Sequence, residues 1–228
     1  MRLVSAALVL LLLLPGAPAR AEASGLFGTQ EIYSTNLAPF SKWDGVVARA
    51  AQERADPSAF CRTQPADRPC VAEAWAQLVA ELARLPLRER AARVNLVLNR
   101  VAYVPAQTNW HDPDHWETPF EFLARGGQCQ DYAIAKFMAL EQSGVPQEAL
   151  RFAVVRDTYN AADHAVAIVT VDGEALVLDN QNTAIVPAAP HDRYRPYYSI
   201  NRAGWWYPLP EPAGRVRIAR SGNDTPAR

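Results

Sequence analysis

Gly126-Gly127-Gln128-Cys129-Gln130-Asp131-Tyr132-Ala133 runs a glycine pair straight into an apolar pattern of helical period, continued by Ile134, Phe137, Met138 and Leu140. The spacing predicts a helix that begins at Cys129, buries one face and stops at Gly144-Val145-Pro146. A thiol at a helix N-terminus meets unpaired backbone N–H groups and the positive end of the helix dipole, and both favour thiolate. A lone cysteine after two glycines is more often a small buried side chain. Its meaning therefore depends on what the rest of the chain brings to it.

Upstream, the chain reads as helical. Residues 22–40 look irregular, and Ser41 is expected to cap a helix running to about Arg54 that Asp56-Pro57 ends. Helices over 71–85 and 87–101 follow, with Trp75, Leu78 and Leu82, then Val94 and Leu98, at helical spacing. Residues 104–118 read as a loop. Thr118-Pro119-Phe120-Glu121 then opens a short helix, with Thr118 as its cap and Pro119 at the first helical position. Beyond Leu150 the texture changes to strands over 151–156, 165–171, 174–178 and 197–200, with 214–219 as a further one. Helices first and strands second is an α+β pattern: N-terminal helices, then the Cys129 helix packed on an antiparallel β-sheet, in a single domain over 22–220 with a flexible tail over 221–228.

Val171-Asp172-Gly173-Glu174 specifies a tight two-residue hairpin between two apolar runs. Val171 then faces Glu174. Counting outward sets Val166 opposite Asp179 and His164 opposite Gln181. Residues two apart share a side of the sheet, so His164 and Asp179 become diagonal neighbours, with Cβ atoms about 7–8 Å apart or less. A one-residue slip in register would separate them. A strand histidine near an aspartate is commonly just a satisfied polar pair. Joined by Cys129, it becomes a candidate triad in which Cys129 is the nucleophile, His164 its base and Asp179 the group that fixes the ring's tautomer. The backbone N–H of Cys129 is then a natural oxyanion donor.

The two ends of the chain and its three cysteines set the compartment. Arg2 precedes an almost unbroken apolar run from Leu3 to Leu14, Pro15-Gly16 breaks it, and Ala19-Arg20-Ala21 fits small-x-small cleavage. Residues 1–21 read as a secretory signal peptide. An uncleaved anchor is the alternative, and the run is short for one. Removing 1–21 takes away Arg2 and Arg20, leaving 21 basic against 24 acidic side chains and a net charge of −3. That mild acidity argues against a nucleic-acid partner, and no other segment reads as a membrane span. In an oxidising compartment Cys61 and Cys70 are expected to pair and close the short loop between them, two reduced thiols being the alternative. Cys129 is left over, and a lone thiol exposed to oxidants is easier to explain if its chemistry is used.

Taken together, Asn109-Trp110, Trp116-x-Thr118-Pro119-x-Glu121-Phe122-Leu123, Gly127-Gln128-Cys129-Gln130-Asp131-Tyr132-Ala133-Ile134-Ala135-Lys136, Gly144-Val145-Pro146, His164-Ala165-Val166, Leu176-Val177-Leu178-Asp179-Asn180 and Tyr197-Tyr198-Ser199-Ile200-Asn201 resemble the bacterial transglutaminase-like cysteine proteinases. The LapG-type periplasmic proteases are the known members. The resemblance covers roughly residues 95–207. It implies a papain-like, transglutaminase-type core and a Cys-His-Asp triad falling on Cys129, His164 and Asp179. It also implies periplasmic cleavage of a protein substrate such as a surface adhesin, under control of an inner-membrane receptor.

The chain departs from that pattern beside the nucleophile. The LapG-type segment is Asp-Cys-Glu-Asp, whose acids help bind calcium; here Gln128 and Gln130 replace the first two acids. Calcium prefers several anionic oxygens, so no cofactor is expected to be required, and Asp131 is only a weak calcium candidate. Two other readings stay open: a catalytically silent domain that binds a peptide or envelope protein, and an acyl-transferring transglutaminase. His111-Asp112-Pro113-Asp114-His115 resembles a zinc ligand run but reads better as a solvated loop. Trp205-Trp206-Tyr207 reads as core rather than as a partner-binding patch.

Overall fold

Asp172 and Gly173 both take positive φ, 52° and 81°, as a type I′ hairpin turn requires. The flanking strands pair antiparallel from Val171 opposite Glu174 to Ala167 opposite Leu178, the register expected from Asp-Gly. The computed structural model describes residues 25–189 and 193–209. The leader over 1–21, the strand over 214–219 and the tail over 221–228 lie outside the described residues.

Among these residues one sheet forms, in the order β1-β7-β6-β2-β3-β4-β5, with every neighbouring pair antiparallel. Its strands are β1 (Glu31–Ser34), β2 (Leu150–Asp157), β3 (Ala162–Val171), β4 (Glu174–Leu178), β5 (Val186–Pro187), β6 (Tyr194–Ile200) and β7 (Trp205–Pro208). The helices are α1 (Ser41–Ala55), α2 (Pro57–Cys61), α3 (Val71–Leu82), α4 (Leu87–Leu98), α5 (Ala106–Trp110), α6 (Pro119–Arg125) and α7 (Cys129–Gln142). This is the α+β fold expected.

Strand alternation divides the core in two. Phe152, Ala167, Val169, Leu176, Leu178 and Ile200 face the helices. Ala153, Val155, Val166, Ile168 and Val177 face the other way, beneath Leu26, Phe27 and Tyr194. Helix α7 touches β2 and β3 on one side and α3, α4 and α6 on the other. Every residue from Gln130 to Leu140 is accordingly buried. The one-sided helix expected from periodicity is therefore corrected to a central one: Ala133, Ala135 and Ala139 let neighbours close over the faces that a polar stripe would have left open.

Several boundaries differ from the sequence reading. Ser41 is the first helical residue rather than the cap, and Phe40 precedes it without a side-chain cap. Asp56 ends α1 but also starts α2, its Oδ1 accepting the Ala59 N–H at 3.0 Å. The third and fourth helices stop at Leu82 and Leu98, each three residues short of expectation. Strand β1 lies in the stretch read as irregular, and α5 in the one read as loop. The tryptophan pair forms β7, which pairs with β1 and β6 and is only partly buried. Cys61 and Cys70 are bonded, tying the end of α2 to the start of α3 with Cα atoms 5.3 Å apart, and Cys129 is free.

Candidate active site

Two glycines shape the turn into α7, for different reasons. Gly126 has φ of 78°, and a Cβ there would strike the Ala102 carbonyl. At Gly127 a Cβ would lie 2.8 Å from both Asp131 Oδ2 and Glu117 Oε2. Asp131 is fully buried and accepts two backbone N–H groups at 2.8 Å, from Gln128 on Oδ2 and from Glu117 on Oδ1. It thus closes the first turn of α7 and anchors the residue leading into α6. That helix carries the expected capping box, with Thr118 N–H donating to Glu121 Oε2 at 2.8 Å and Glu121 N–H to Thr118 Oγ1 at 3.2 Å.

Cys129 stands half-buried at the first position of α7, where its backbone N–H has no intrahelical partner. Its thiol approaches Gln130 Oε1 at 3.6 Å. The β3–β4 ladder stops at Ala167 opposite Leu178, so His164 and Asp179 sit just past its open end. Their side chains meet, with His164 Nε2 2.7 Å from Asp179 Oδ1 and both residues buried. The pairing that hairpin arithmetic predicts is the one present. With Nε2 taken by the carboxylate, Nδ1 is the nitrogen left for the sulfur.

Asp179 is held from four further directions. Tyr194 donates its hydroxyl to Oδ2, Gln181 N–H donates to Oδ1 at 2.9 Å, Arg193 Nη2 lies 3.2 Å from Oδ2, and Asn99 Nδ2 donates to the Asp179 carbonyl at 2.9 Å. Burial would raise the carboxyl pKa, but the His164 and backbone interactions outweigh it and hold the group at about 2. For His164, burial opposes the charge, yet hydrogen bonding to Asp179 and to Cys129 pushes the imidazole up to about 9. Sulfur, ring and carboxylate therefore act on one another, and the carboxylate favours the charged form of the ring. Tyr194, Arg193 and Asn99 were not picked out from sequence. Asn99 closes α4 and carries no motif, and Tyr194 lies three residues before the strand start that β-propensity suggested.

The model of one family, the bacterial transglutaminase-like cysteine proteinases, matches residues 48–211 of the chain. The chain belongs to this family. Solved structures of its LapG members from Legionella pneumophila share the architecture. One is 31% identical, covering 59% of this chain and 76% of that one, with a TM-score of 0.53. The calcium-bound form is 28% identical over 66% and 84% of the two chains, with a TM-score of 0.57, and the EGTA-treated form is 30% identical over 60% and 75%, with a TM-score of 0.54. No curated protein matches. The protein is thus a cysteine peptidase of the transglutaminase-like type, and a protein substrate follows from that class.

The calcium-bound relative makes this ion the cofactor to test, and the donor set here does not fit it. Both Asp131 oxygens are already taken by backbone N–H groups. Glutamines occupy 128 and 130. Glu117 is buried beside Asp131; Asn109 and Trp110 donate to its Oε1, and of these two carboxyl groups only its Oε2 has no hydrogen-bond partner among the described residues, a single uncommitted oxygen for a cation. Among the described residues no three His, Cys, Asp or Glu side chains gather as a metal site needs. Burial first, then the nearby Glu117 and Glu121, push Asp131 up to about 8 against the pull of its two N–H donors. The zinc-like run is likewise accounted for: His115 stacks on Trp110 at 4.2 Å and reaches Glu121 at 3.3 Å.

Proposed function

We propose that Cys129, His164 and Asp179 are the catalytic triad of a periplasmic peptidase that hydrolyses an exported protein substrate, a surface adhesin being the leading class. The 2.7 Å contact between His164 and Asp179, with the imidazole coupled to Cys129, carries this reading. His164 takes the thiol proton. The sulfur attacks a peptide carbonyl, and the oxyanion forms near the Cys129 N–H at the tip of α7. The imidazolium gives its proton to the departing amine, leaving an acyl-thioester. His164 then takes a proton from water, which adds to the thioester carbonyl, and returns it to the leaving sulfur. Asp179 stays ionised throughout and stabilises the imidazolium. No calcium enters any step.

The test compares cleavage products of exported proteins in cells carrying the native chain and Cys129→Ala. A fragment that disappears in the variant supports proteolysis. Identical patterns, together with iodoacetamide labelling of Cys129 no faster than a free thiol and indifferent to His164→Ala, would instead identify a silent peptide-binding domain.

A further inference from the structure

Residues 102–104 run beside the nucleophile loop as a single rung of parallel sheet. Tyr103 bridges Gly127, with Gly127 N–H donating to Ala102 O at 3.2 Å and Val104 N–H donating to Gly127 O at 2.9 Å. Successive residues of a strand turn their hydrogen-bonding groups to opposite sides. Ala102 and Val104 spend theirs on Gly127, so the N–H and C=O of Tyr103 face away from it. Neither bonds to any described residue. The segment is also fixed in place. Tyr132 donates its hydroxyl to Val101 O, and the space at Gly126 is filled by Ala102 O and the Val104 side chain. Tyr103 itself is 59% exposed. Its phenol pKa is raised by burial of part of the ring and then by Cys129 and Asp131.

An unpaired strand edge on a peptidase, bridged to the residue two before Cys129, suits one kind of occupant. Extended peptides add to such edges through main-chain hydrogen bonds, which supply affinity whatever the side chains. We propose that Tyr103 is the substrate-docking edge: an extended stretch of the polypeptide substrate, within a few residues of the scissile bond, pairs its main chain with the Tyr103 N–H and C=O and adds one strand to the 103–127 bridge. This rests on the peptidase reading of Cys129. The phenol ring then flanks the docked chain and makes side-chain contacts of lesser weight.

The probe is the tripeptide aldehyde acetyl-Ala-Ala-alaninal, whose carbonyl carbon bonds to the Cys129 sulfur while its oxygen takes up the thiol proton, with no leaving group. Tyr103→Pro deletes the outward N–H, at an edge position where proline is tolerated; Tyr103→Phe keeps it. The expected results are inhibition about tenfold weaker for the proline variant and within about twofold of native for the phenylalanine variant. On the native protein, N-methylating one internal amide of the aldehyde should weaken it about tenfold, and methylating the other should not. Iodoacetamide labelling of Cys129 monitors the nucleophile separately. Fast labelling with no effect of proline or of either methyl group overturns the docking edge alone. Slow labelling of the native protein overturns the peptidase reading and the docking edge together. If Tyr103→Pro does not fold, the N-methyl series on the native protein decides.

Discussion

Asp131 Oδ1 accepts the backbone N–H of Glu117 at 2.8 Å, so the second residue after Cys129 fastens a segment 14 positions upstream. At pH 9, where the Asp131 carboxyl group is ionised, Asp131→Asn keeps the shape but turns an amino group toward one of its two N–H donors. Expected are a loss of about 1–3 kcal/mol in urea unfolding and slower iodoacetamide labelling of Cys129. Unchanged stability and labelling would show that the turn holds without this latch.

Calcium removal should leave the enzyme working. With both Asp131 oxygens committed to N–H groups and glutamines at 128 and 130, peptidase activity is expected to survive excess EGTA, and the melting temperature to stay put when calcium is added. Complete loss in EGTA restored by calcium alone, and not by magnesium, would show that the amide side chains ligate after all.

The His164–Asp179 pair predicts a defined pH dependence of stability. His164 is raised from 6.5 to about 9 in the fold, so its contribution is whole below pH 6.5 and lost as pH climbs through 9. Asp179 is lowered from 3.8 to about 2, so its contribution is present above pH 3.8 and lost as pH falls through 2. The stability difference between the native protein and His164→Gln should therefore be largest between those limits, on the order of 1–3 kcal/mol, and shrink toward pH 9. A difference that stays flat from pH 6 to 9.5 would contradict the coupling.

Lys136 is fully buried on α7, and its Nζ has no hydrogen-bond partner among the described residues. Burial brings the amine down to about 7, with Asp179 pulling the other way. In the unfolded chain it stays protonated to about pH 10.4, so folding costs the protein a proton or a buried charge. Lys136→Met should stabilise the fold by roughly 1–4 kcal/mol at pH 6.5, and the gain should diminish toward pH 10. Urea titrations at the two pH values measure it. A destabilised variant would mean the amine has a bound partner, such as a water.

The sequence signals that proved legible were those with a local physical cause. Asp172-Gly173 has no other comfortable backbone than a tight hairpin, and the register followed from it as far as Ala167 and Leu178, just past which His164 and Asp179 meet through their side chains. Thr118-Pro119 and Gly126-Gly127 marked α6 and the turn before Cys129 for similar reasons. What periodicity could not reveal depends on distant partners. Helix α7 is buried all round because three other helices and the sheet meet on it. Strand β1 has four residues and exists through its pairing with β7. Tyr194 and Arg193 reach Asp179 only once β6 lies beside β2, a pairing that no local pattern announces.

Gly127 gives the site an unusual kind of fragility. The atoms nearest its missing side chain belong to Asp131, whose carboxyl group ties α7 to the lead-in of α6, and to the Glu117 carboxyl group. A single added methyl would push on both helices at once, so the tolerance of this position is set by neighbours that never touch a substrate. Saturation libraries selected for cleavage should return glycine alone at 127, while 128 and 130, whose side chains differ already from the calcium-binding pattern, accept wider change.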